Sequence, residues 1–136
     1  MANLIESLKK EHELTRKAFA RLAKAGKDQA KFSKLLDDTK KVLTAHFARE
    51  DAELYCILSV TAQTDSRLRI LLGSFSQETI EVSRQVRDFF AKPGPVNLDR
   101  LRTLIQAVET RMKREEAIFF PEYERVVDFK ILPQAA

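Results

Sequence analysis

The chain is poor in the residues that punctuate or cross-link small folds. Its 136 residues include three glycines, four prolines and a single cysteine. An all-β fold needs a turn roughly every 10 residues, and there are too few turn formers here to supply them. A lone cysteine excludes an internal disulfide and the disulfide-held scaffolds of small secreted domains. Cys56 lies among Leu54, Tyr55, Ile57 and Leu58 with no basic run beside it. It reads as a buried structural thiol, not a redox nucleophile. No apolar run approaches the length of a membrane span, and the opening MANLIESLKK lacks the apolar core of a secretory signal. A cytoplasmic protein with no membrane attachment is expected. Charge of one sign is lacking as well. The 24 Lys and Arg exceed the 20 Asp and Glu by only four, and the two signs interleave in LKKEHELTRK and RMKREEAIFF. Such mixing marks solvated helix faces, and no nucleic-acid partner is expected from it. The length suits one domain covering 1–136.

What the chain does contain is apolar residues at helical spacing. The first helix is predicted from about Asn3 to Lys24, capped by Asn3 with Glu6 three residues on and closed by Gly26. Its stripe is Leu4/Ile5, Leu8, His12, Thr15, Phe19 and Leu22. The second helix follows Asp28 and runs without interruption to about Val60, through Phe32, Leu35/Leu36, Thr39, Val42/Leu43, His46/Phe47, Glu50, Leu54 and Ile57/Leu58. The third spans about Ser66 to Ala91, and the run Lys92-Pro93-Gly94-Pro95-Val96-Asn97 breaks the chain after it. The fourth begins after Asn97 and reaches Pro121, which kinks or restarts it before a short last turn and a fraying tail at 132–136. Four long amphipathic segments with short connections make an all-α fold, an antiparallel up-down-up-down four-helix bundle.

His46 and Glu50 lie one turn apart inside an apolar stripe, where i and i+4 side chains share a face. A core-facing glutamate needs a partner. The chain also repeats itself. Glu11-His12 aligns with Glu78-Thr79, and His46-Phe47-Ala48-Arg49-Glu50-Asp51 aligns with Arg111-Met112-Lys113-Arg114-Glu115-Glu116. Each half is then one helical hairpin, and the bundle is expected to gather His12, His46, Glu50, Thr79, Arg111 and Glu115 at one interior level. No Glu-x-x-His occurs, which argues against a di-iron oxidase of the ferritin type.

Glu11-His12, His46-Phe47-x-x-Glu50 with Leu54-Tyr55, and Glu115-Glu116-x-x-Phe119-Phe120-Pro121 together resemble the hemerythrin-like family, the HHE cation-binding domain. The resemblance covers nearly the whole chain. It implies a hemerythrin-like bundle around a non-haem di-iron centre that binds or senses oxygen, nitric oxide or iron. It places metal ligands at His12, His46, Glu50, position 79, position 111 and Glu115. Positions 79 and 111 are Thr and Arg, where the family would have His, and an arginine offers only donors. The histidines of one iron and both shared carboxylates are kept, and those of the other iron are lost. Two readings follow. One is a single metal on His12, His46, Glu50 and Glu115, iron first, with zinc or manganese chemically acceptable. The other is a metal-free helical interaction or regulatory module in which Arg111 pairs with the carboxylates. Both describe a binding protein and not an enzyme. Phe129, Ile131 and Leu132 offer apolar surface to the bundle or to a second copy, and no protein partner is named by the residues.

Overall fold

Each helix starts where a short polar side chain can bond a backbone N–H that has no partner one turn back. Asn3 accepts from Glu6 N at 2.8 Å, Asp28 from Lys31 N at 3.1 Å, Asp65 from Leu68 N at 3.1 Å and Asn97 from Arg100 N at 3.0 Å. The computed structural model describes residues 3–91 and 97–135, with side chains through Asp128. Four long helices fill them: α1 (Leu4–Ala25), α2 (29–62), α3 (Ser66–Ala91) and α4 (98–135). The Pro-Gly-Pro break at 92–96 and the apolar residues Phe129, Ile131 and Leu132 as side chains lie outside the described part. Gly26 is the C-cap of α1 and stands where space is short: a Cβ there would come within 3.2 Å of Leu98 and 3.3 Å of the Ala23 carbonyl.

α1 packs on α2 and α4, and α3 packs on the same two helices from the other side. Successive helices run antiparallel in an all-α up-down-up-down bundle. The core comes in two apolar blocks. One holds Ile5, Leu8, Leu54, Leu58, Leu68, Phe75, Phe119 and Phe120. The other holds Phe19, Leu22, Phe32, Leu43, Val82, Leu101, Leu104, Val108 and Met112. On every helix the stretch between the two blocks is polar: His12 and Thr15 on α1, His46 and Glu50 on α2, Thr79 on α3, Arg111 and Glu115 on α4. Burying each large apolar side chain contributes about 1.5–3 kcal/mol, and that apolar packing on both sides holds the polar layer in place.

Three expectations about the helices are corrected. α2 is not uninterrupted: α-helix over Gln29–Arg49 passes through a π turn at Glu50–Tyr55 and resumes over Cys56–Ala62. The reason is the core pattern His46, Glu50, Leu54, Leu58, Ala62, buried at strict intervals of four. On an α-helix each such step drifts about 40°. A π turn takes in one extra residue and brings the stripe back to the core. Nor is the segment after Pro121 a single short turn. α-Helix over Leu98–Arg114 leads into a second π turn at Glu115–Phe119, and Phe120–Ala135 continues as helix. Phe120 N–H bonds the Glu115 carbonyl five residues back, so the ladder is already widened where the missing Pro121 donor falls. The tail is helical to Ala135 and does not fray at 132. Cys56 is exposed, not buried. It begins the helical segment after the first π turn, whose buried residues are Leu58 and Ala62.

Candidate metal centre

The polar layer closes around one point. His12, His46, Glu50 and Glu115 each bring one nitrogen or oxygen to it, and these four atoms lie within 4.8 Å of one another. All four residues are at most 2% exposed, and Arg111 beside them is 4% exposed. His12 comes from α1, Glu115 from the start of the α4 π turn, and His46 and Glu50 from successive turns of α2. His12 Nε2 is 3.2 Å from Glu115 Oε1 and 3.6 Å from Glu50 Oε2, and His46 Nε2 is 3.2 Å from Glu50 Oε1. The contacts are close but not aligned for hydrogen bonding. Six buried side-chain atoms among the described residues lack a hydrogen-bond partner, and five belong here: His12 Nε2, His46 Nε2, Glu50 Oε2, Glu115 Oε1 and Arg111 Nε. Orphaned buried polar atoms are costly and rare. Two imidazole nitrogens and two carboxylate oxygens converging in this way form a donor set that a divalent cation fits.

The far side of each imidazole is satisfied. His12 Nδ1 is 2.6 Å from Glu116 Oε2, and His46 Nδ1 is 2.8 Å from Glu11 Oε1. An ionised carboxylate only accepts, so both rings carry a proton on Nδ1 and turn Nε2 inward. The outer oxygens of the two buried glutamates are taken as well. Tyr55 donates its hydroxyl to Glu115 Oε2 at 2.6 Å, and Arg111 reaches Glu115 Oε2 with Nε at 3.5 Å and Glu50 Oε1 with Nη2 at 3.4 Å. The guanidinium carbon stands 4.2 Å from the centre of the Phe47 ring, a cation–π position.

Electrostatics follow from two buried carboxylates with one fixed positive charge. Burial works against a charged His12 imidazole, but Glu115, Glu50 and Glu116 outweigh it and push its pKa up to about 10. His46 is raised in the same way, against burial, by Glu50 and Glu11. Burial would raise Glu50, yet the close His12 and His46 imidazoles bring it down to about 2. Glu115 goes up, chiefly through burial. Tyr55 is pushed far up by burial and the neighbouring Glu115, so it stays a neutral donor. Both shifts favour the protonated imidazole, whose charge adds to that of Arg111.

Of the six positions expected at this level, His12, His46, Glu50, Arg111 and Glu115 come together. Thr79 lies in the α3 stretch of the polar layer, but its hydroxyl is used elsewhere. It is half-buried and donates its hydroxyl to the Phe75 carbonyl at 3.0 Å. A threonine hydroxyl on a helix bonds its own backbone one turn back more readily than it reaches across a bundle. Glu11, Glu116, Tyr55 and Phe47 carry roles in the site that their spacing did not announce. Glu11 and Glu116 are each the chain neighbour of a cluster residue, so their side chains point about 100° away from it and meet the next helix at the seam. A strict four-residue interval in the core pattern was the signal available for the π turns.

A family model described as the hemerythrin HHE cation-binding domain matches residues 3–123. No curated protein and no solved structure matches the chain.

Proposed function

The chain belongs to the hemerythrin HHE cation-binding domain family, and from that premise we propose that it binds a single divalent metal ion, iron, between His12, His46, Glu50 and Glu115. The observation that carries this reading is the set of four buried, unpartnered atoms, His12 Nε2, His46 Nε2, Glu50 Oε2 and Glu115 Oε1, facing one another across the polar layer. Two imidazoles with carboxylates suit Fe(II), and zinc or manganese is held by the same donors.

The second cation of the layer is Arg111. It lies 3.4 Å from Glu50 Oε1 and 3.5 Å from Glu115 Oε2, while the unpartnered Glu50 Oε2 and Glu115 Oε1 face His12. A two-metal centre would share both carboxylates. Here a guanidinium over Phe47 takes the position that a second ion would need, and the centre is mononuclear. Glu50, Glu115, Arg111 and a divalent ion sum to one positive charge. Bound iron supplies coordination positions open to a small ligand such as O2 or NO. The chain's own residues hold the ion, keep the imidazoles oriented and keep bulk water out of the layer. We assign the protein to binding or sensing of iron or of such a ligand, without catalysis.

Elemental analysis of the protein purified without chelators tests the reading. One equivalent of metal per chain, lost in His46→Ala, is the expected result. Trace metal that His46→Ala leaves unchanged contradicts it. The contacts of Arg111 also favour a second reading, the metal-free module, in which Arg111 and imidazole protons neutralise the glutamates. That protein would hold no metal, and chelators would not change its melting temperature.

A further inference from the structure

Each histidine of the cluster is gripped from behind by a carboxylate that an arginine holds in turn. On the α1–α2 seam, His46 Nδ1 meets Glu11 Oε1 at 2.8 Å. The other oxygen of Glu11 takes Arg49, three residues beyond His46 on α2, and Arg49 also reaches Ser7 Oγ at 3.0 Å. On the α1–α4 seam, His12 Nδ1 meets Glu116 Oε2 at 2.6 Å, and Arg16 Nη2 bonds the same oxygen at 3.1 Å. Arg16 lies four residues beyond His12 and fixes its Nε on Glu109 at 3.0 Å. The internal repeat contains a third copy of the outer half of this device. Glu11 corresponds to Glu78 and Arg49 to Arg114, and Arg114 Nη1 donates to Glu78 Oε1 at 2.7 Å. His46 corresponds to Arg111, however, so Glu78 has no imidazole to hold.

We propose that Glu11 and Glu116 are positioning residues for the cation. Each fixes the Nδ1–H tautomer and the ring plane of one histidine, and so sets the affinity of the centre. The proposal rests on the reading of the cluster as a cation site. A carboxylate behind a ligating imidazole raises its basicity and locks its direction, and losing such a partner costs about 10–100-fold in metal affinity. Arg49 and Arg16 keep the carboxylates at the seams and offset their charge. The alternative is that these are ordinary seam ion pairs, which contribute little to folding and nothing to the site. Glu78–Arg114 is such a pair within the same molecule, and it serves as the control.

The test measures Co(II) affinity by competition with a chromogenic chelator, and the melting temperature without metal, in the full chain. Glu11→Ala and Glu116→Ala are each expected to bind Co(II) about 10–100-fold more weakly. Glu11→Gln and Glu116→Gln, which still accept the Nδ1–H bond, fall between these and the parent. Glu78→Ala binds as the parent does. Alanine variants that melt lower but bind Co(II) as tightly as the parent overturn the proposal and leave the metal reading standing. A parent that binds no Co(II) overturns both. Should the alanine variants fail to fold, glutamine variants as tight as the parent overturn the proposal.

Discussion

At the scale of single residues the site is a charge problem with a partial answer built in. Glu50 and Glu115 are both 0% exposed, and Arg111 is the fixed cation between them. Arg111→Ala leaves two buried carboxylates without it, and breaking a buried ion pair from one side costs about 3–5 kcal/mol. The variant is therefore expected to melt well below the parent when metal-free, and excess metal should recover part of the loss. Equal melting temperatures in the absence of metal would show that the guanidinium does not hold the pair. Tyr55→Phe removes the hydroxyl that bonds Glu115 Oε2 at 2.6 Å. A hydrogen bond to a charged group contributes about 1.5–3 kcal/mol, so a drop of that size in urea-unfolding stability is predicted. The pair Thr79→His with Arg111→His is expected to raise iron content from one to two per chain. The candidate site was largely legible because the chain has only two histidines, both on core stripes, and because His46–Glu50 repeats as Arg111–Glu115. Thr79 lies in the polar stretch of α3, and its hydroxyl bonds its own backbone at the Phe75 carbonyl. Glu11 and Glu116 were unreadable as partners because only the packing of neighbouring helices aims them at the imidazoles.

The four helices were legible from their caps, with Asn3, Asp28 and Asn97 doing what a capping side chain at those places implies. The two π turns were not read, because residues without glycine or proline pass for plain α-helix, and the four-residue spacing of His46, Glu50, Leu54, Leu58 and Ala62 is the cue to the first. Ala52 is an exposed member of the first π turn. Deleting it removes the extra residue, so plain α-helix then keeps Leu54, Leu58 and Ala62 on the same face as His46 and Glu50. Circular dichroism should then show a helical protein that melts close to the parent. A much lower melting temperature would mean that the π turn itself is needed. The middle of α3 points the other way. A Cβ on Gly73 would meet nothing within 4 Å. Gly73→Ala is predicted to stabilise the protein by about 0.5–1 kcal/mol, read as a higher urea midpoint at unchanged slope.

At the scale of the molecule, the polar layer divides one bundle core into two apolar blocks, and an ion bound there would link the helices that meet at that layer. Among the described residues no helix is long and apolar enough to cross a membrane. Metal held only by the folded state stabilises it by about 2.7 kcal/mol at a free concentration 100 times Kd, or roughly 10 °C in melting temperature. The same shift should reverse on chelation. The central claim is that one metal ion lies between the histidines and the glutamates, with Arg111 in the second cation's place. Its most direct test is an anomalous-scattering map from crystals of iron-loaded protein. The account predicts a single peak bounded by His12 Nε2, His46 Nε2, Glu50 and Glu115, with the Arg111 guanidinium beside the outer carboxylate oxygens. No peak between His46 and Glu50, or two peaks with Arg111 turned away, would contradict it.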